Sequence, residues 1–124
     1  MADAGEVVFK RLWGWIALRA LVGKRITPDP PDQDSDYPLV TYQEVTMSPL
    51  HSHETTFGTA SHRFRVTAWA DKLAGSKGAR AITAQIDAAL VGWSQTELLT
   101  RRPRWNEKHR KHGIQSEYRV WNTN

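Results

Sequence analysis

Five histidines, His51, His53, His62, His109 and His112, are the residues in this chain best suited to metal or acid–base chemistry. His51-Ser-His53 would set two imidazoles on one side of a strand, and His62 could join them across a hairpin, a set able to hold a catalytic zinc. Segment 49–58, however, reads as a loop, and no His-Glu-x-x-His pattern accompanies it, so these histidines are read as exposed loop residues. His109 and His112 sit among cations, which disfavours their protonated form, and no carboxylate or nucleophile is spaced to work with them. Serines and threonines are plentiful, but none lies in a Gly-x-Ser-x-Gly elbow. Gly75-Ser-Lys-Gly78 ahead of a helix lacks the spacing of a phosphate loop and reads as an ordinary turn. The absence of cysteine excludes disulfides, thiol catalysis and Cys-bound zinc. The expectation is a protein with no catalytic residues, no cofactor and no metal.

Charge is the stronger signal. Segment 101–112 carries Arg101, Arg102, Arg104, Lys108, Arg110 and Lys111 against Glu107 alone, a net of +5 in a chain whose total is +4. Arginine forks suit phosphates, and Trp105 could stack on a base, which together is how single strands are held. The same stretch also fits a solvated hairpin tip, or a loop that pairs with an acidic neighbour. A second segment, 28–38, concentrates Asp29, Asp32, Asp34 and Asp36 among prolines. One basic and one acidic segment permit binding to nucleic acid, or binding between copies, loop to loop.

These residues must be placed by a small scaffold. With 124 residues the chain has room for one domain, 1–124, with one core. No stretch approaches the roughly 18 apolar residues of a membrane span. No basic region followed by an apolar one opens the chain, so no secretion signal is read and a cytoplasmic origin is expected. Residues 6–22 read as one helix, with Val8, Leu12, Trp15 and Ile16 at helical spacing and Gly23 at its end. Gly14 is its weak point, since glycine inside a helix costs about 1 kcal/mol against alanine. A short Arg25-Ile26-Thr27 segment and the exposed 28–38 loop follow, then strands over 39–47 and 62–70. A second helix over 76–90 buries Ile82, Ile86, Ala89, Leu90 and Trp93, and Gly92 closes it. A short strand over 95–100 leads into the basic loop, and a last strand covers 114–122. Alternation sets Phe64, Val66 and Ala68 opposite Arg63, Arg65, Thr67 and Trp69, and Ile114, Ser116, Tyr118 and Val120 opposite Gln115, Glu117, Arg119 and Trp121. The order α-β-β-β-α-β-β predicts an α+β domain with two helices on one face of a mostly antiparallel sheet. The polar loops 28–38 and 101–113 are expected to be the least ordered internal segments.

Several short motifs then fall in a telling order: Leu21-Val-Gly-Lys-Arg-Ile26 after the first helix, Tyr37-Pro-Leu-Val-Thr-Tyr-Gln43, the strand Arg63-Phe-Arg-Val-Thr-Ala-Trp-Ala70, Ala89-Leu-Val-Gly-Trp93 and Tyr118-Arg-Val-Trp121. Over nearly its whole length the chain resembles the tail-completion, or tail-terminator, proteins of long-tailed phages, prophages and gene transfer agents. It departs from their usual pattern in its long 101–112 loop and its His-bearing 49–61 loop. The resemblance implies a non-enzymatic structural protein of the virion, assembled in the host cytoplasm. It implies a six-membered ring on the tail tube that stops tube growth and joins tail to head at the head–tail junction. The implied partners are further copies, the tail tube protein and a head-completion or connector protein. DNA would pass through the ring without sequence-specific binding, and no membrane is involved. A closed ring needs two unlike surfaces on each subunit, and the acidic and basic segments offer both signs of charge. If the helices cover the valine faces of the strands, Trp69 and Trp121 remain as anchors for a neighbour; if they cover the other faces, these tryptophans are core. The alternative function is a small nucleic-acid-binding protein that uses the basic loop.

Overall fold

The apolar stripe expected to form one helix is divided between two, α1 (Ala4–Trp13) and α2 (Ile16–Val22). The computed structural model describes residues 4–29, 36–45, 61–75, 78–93 and 96–121. Gly14 lowers the cost of leaving the helix, and Trp15 is extended (φ −84°, ψ 103°). Arg19 holds the corner: its guanidinium lies 3.9 Å from the Trp13 ring centroid and donates to the Trp13 carbonyl at 3.1 Å. Leu12 and Leu18, on either side of the break, are both fully buried.

The remaining elements are β1 (Ile26–Pro28), β2 (Leu39–Val45), β3 (Ser61–Ala70), α3 (Ala79–Leu90), β4 (Glu97–Asn106) and β5 (Lys111–Trp121). They form one sheet in the order β1-β2-β3-β5-β4, in which only the β1–β2 pair is parallel. The α+β architecture and element order are as expected, with three helices among the described residues because the first divides. α3 starts at Ala79 because Gly78 is extended; a Cβ there would stand 2.4 Å from the Ala74 carbonyl oxygen, so only glycine fits.

The helices cover the valine faces. Phe64, Val66 and Ala68 of β3 and Ile114, Tyr118 and Val120 of β5 pack with Leu12, Leu18, Ile82, Ile86 and Leu90 in one cluster. Each valine, leucine, isoleucine or phenylalanine among them contributes roughly 1.5–3 kcal/mol by leaving water.

The basic segment is not a loop. Residues 101–106 belong to β4 and pair with 111–116 of β5, leaving only 107–110 as the turn. Arg110 closes it with a left-handed backbone (φ 55°), and the Asn106 side-chain oxygen accepts the His109 N–H at 3.0 Å. Pro103 is tolerated because β4 is an edge strand. Within 28–38, residues 30–35 lie outside the described residues, as do 46–60.

Candidate assembly surfaces

The β4–β5 hairpin is tied to the helical layer by one carboxylate. Asp87, on α3, accepts the Tyr118 hydroxyl at 2.6 Å and the Arg101 guanidinium at 2.5 Å. Arg101 also donates to Ser116 Oγ at 2.9 Å. Burial first, and then the Asp87 carboxylate beside it, push the Tyr118 pKa far above its ordinary 10.0. The folded protein therefore retains a proton that the unfolded chain releases, so this stability is complete below about pH 10 and is lost as pH rises further. Melting temperature should fall on titration above about pH 10, and less steeply in Tyr118→Phe. Equal slopes in the two proteins would count against the assignment. Some slope should persist, because burial also raises Tyr37.

The face of the sheet away from the helices carries four rows of mostly polar side chains and one aromatic, and its central residues Leu39, Thr41, Thr67, Trp69 and Gln115 are buried. Register places Leu39, Trp69, Gly113 and Arg104 in one row, then Thr41, Thr67, Gln115 and Arg102. Next come Gln43, Arg65, Glu117 and Thr100, then Val45, Arg63, Arg119 and Glu97. Trp69 faces away from the helices, as its alternation requires, yet it is only 5% exposed. Its indole lies over Gly113, where a Cβ would stand 2.7 Å from the ring, and its N–H donates to Thr41 at 3.2 Å. Neither sequence alternative describes it: Trp69 lies on the far side from the main core and is buried there against Gly113 and Thr41. Trp121 ends β5, and its side chain lies outside the described part.

The other anticipated interface residues separate into tied and free groups. Arg101 is locked to Asp87, Arg104 donates to the Gln115 side-chain oxygen, and Lys111 pairs with Asp71 while lying 5.0 Å from the Tyr37 ring centroid. Arg102, Lys108 and Arg110 are exposed. Asp29 and Asp36 are exposed, and Asp32 and Asp34 lie outside the described residues. The Tyr37 ring also meets His109 at 6.0 Å, so the base of the acidic segment touches the basic turn within one subunit.

An apolar surface at the α1–α2 break was not legible in the sequence. Arg11 lies between Trp15 (5.2 Å) and Trp93 (5.4 Å) and donates to the Ala89 carbonyl at 2.8 Å. Ile16, next to Trp15 in the chain, is 85% exposed, and Val91, two residues before Trp93, is also exposed. Helical spacing groups Trp15 and Ile16 with the core; half-buried Trp15 does pack against it, whereas Ile16, past the break, turns to solvent.

The histidines do not converge. His62 Nδ1 stands 2.8 Å from Glu44 Oε2, His109 and His112 meet aromatic rings, and His51 and His53 lie outside the described residues. Among the described residues no group of three His, Cys, Asp or Glu is placed to hold a metal, and no helix is long and apolar enough to cross a membrane. At the start of α3 the Ala79 and Arg80 N–H groups donate to the Lys72 and Leu73 carbonyls at 2.9 Å. The amides that a phosphate would need are therefore already used.

No curated protein matches the chain. Among solved structures, a chain from the virion of a native gene transfer agent particle aligns with a TM-score of 0.70 at 23% identity. The alignment covers 92% of this chain and 90% of that one, and shows a shared fold. The family model described as tail completion protein gp17 matches residues 6–122, from the first turns of α1 to just past β5. Every surface described above lies within that match, and the chain belongs to this tail completion family, whose members are structural proteins of the phage tail.

Proposed function

We propose that the protein forms a ring at the end of the tail tube and serves there as a structural part, not an enzyme, that stops tube growth and joins tail to head. The observation that carries this reading is the family match over nearly the whole chain, with the fold shared by a chain of a gene transfer agent virion as support. Six copies, the tail tube protein and a head-completion or connector protein complete the junction in this reading, and DNA passes through the centre. Assembly takes place in the host cytoplasm.

A ring joins two unlike surfaces of neighbouring copies. The Trp15–Arg11–Trp93 surface with Ile16 is one of them in this reading, since aromatic and arginine side chains dominate binding energy where they become buried. Particles made without the protein should show filled heads unjoined to tails, and tubes beyond normal length, by electron microscopy. Joined particles of normal tail length would refute the reading. Ile16→Asp should abolish joining while changing subunit stability by less than about 0.5 kcal/mol. Ile16 is the first residue of α2, where an acidic side chain favours the helix.

A further inference from the structure

The face of the sheet away from the helices, where Arg102 and Arg104 are exposed and Arg65 is half-buried, carries more positive charge than its own carboxylates neutralise. Glu117 takes Arg63 at 2.7 Å, Glu97 takes Arg119 at 3.1 Å, and Asp71 at the end of β3 takes Lys111. Among the described residues these pairs use the carboxylates in the strand rows of that face, and Arg65, Arg102 and Arg104 have none. Arg104 donates to neutral Gln115, which orients its guanidinium without cancelling its charge. Arg65 Nε is buried with no acceptor among the described residues.

Register sets the spacing. Arg102 and Arg104 point to the same side of β4, so their Cα atoms are about 6.8 Å apart. Arg65 stands opposite Glu117 on β3, two strands across, or about 9.5 Å laterally.

We propose that Arg65, Arg102 and Arg104 form a binding surface for the phosphate backbone of duplex DNA, independent of base sequence. A protein partner of ordinary kind would need an apolar centre to its docking surface. The exposed large apolar side chains among the described residues are Ile16, Val91, Leu98 and Trp105. None belongs to this face: Leu98 and Trp105 stand opposite Tyr118 and His112, on the helical side. A polar surface with surplus positive charge is the character of nucleic-acid contacts. Arginine forks take phosphate oxygens two at a time. The three arginines lie across paired strands, and among the described residues no helix or free ribbon on this face enters a groove, so contacts fall on the backbone and not on base edges. The proposal concerns the surface of a single subunit and holds whether or not the ring reading does.

The test is fluorescence anisotropy of the full chain with a labelled mixed-sequence duplex over a range of salt. The variants are Arg65→Ala/Arg102→Ala/Arg104→Ala, Arg102→Glu alone, and Lys108→Ala/Arg110→Ala in the turn. The triple variant should flatten the slope of log K against log salt by about 2–3, at roughly 0.9 for each phosphate no longer held. Arg102→Glu, at an exposed side chain that leaves the fold intact by its melting curve, should weaken binding in low salt by about tenfold or more. The turn variant should retain most of the slope. The proposal is overturned if the wild-type protein does not bind the duplex, if Arg102→Glu binds as well as wild type, or if the turn variant accounts for the slope. Tighter binding of poly-glutamate than of the duplex at equal charge would also overturn it, by making the face a dock for an acidic protein.

Discussion

Trp69→Ala should lower the stability of the isolated subunit by roughly 3–5 kcal/mol, the usual cost of deleting a buried aromatic. At this chain length that is a fall in melting temperature on the order of 10–20 °C. The indole is 5% exposed although it stands on the face away from the helices, and it covers Gly113 while satisfying Thr41. Gly113→Ala should reproduce part of the loss, because its Cβ would push into the indole at 2.7 Å. The double variant should be no less stable than Trp69→Ala, since the clash disappears with the ring. Denaturant unfolding of the three variants decides it: a loss below about 1 kcal/mol for Trp69→Ala would place the tryptophan in solvent.

Asp87→Ala should cost roughly 2–3 kcal/mol, because it strands a guanidinium and a buried hydroxyl together. Both Asp87 and Arg101 remain about one-third exposed (30% and 34%), which keeps the figure below that of a fully buried pair. The loss should be local. Amide exchange should accelerate in β4 more than in the β2–β3 pair, since Asp87 is the carboxylate that fastens the hairpin to α3. Asp87→Asn should recover part of the loss by keeping an acceptor for Tyr118. Uniform acceleration across the sheet would mean that the network is not what fastens β4.

The elements themselves were largely written in the sequence. Clean alternation in β3 and β5 sorted Val66 from Arg65 and Val120 from Arg119, because a period of two follows from the backbone alone. The stripe Ile82, Ile86, Ala89 and Leu90 located α3 for the same local reason. Gly14 marked where the first helix would fail, and the order of short motifs pointed to the tail completion family that matches residues 6–122.

Tertiary structure decided what each face meets. Alternation told which way Trp69 points, but its burial depends on Gly113 arriving opposite it in register from a distant strand. Charge density made 101–112 read as a loop, whereas its ladder to β5 and the hold of Asp87 on Arg101 make 101–106 a strand. The same pairing separates Arg102 and Arg104 from Arg101 by face, and brings them to the side of the sheet that carries Arg65. Residue type and spacing specify local conformation and side-chain direction, because both are set within a few bonds. Register between distant strands, and the partner that neutralises a given charge, arise only when the chain closes on itself.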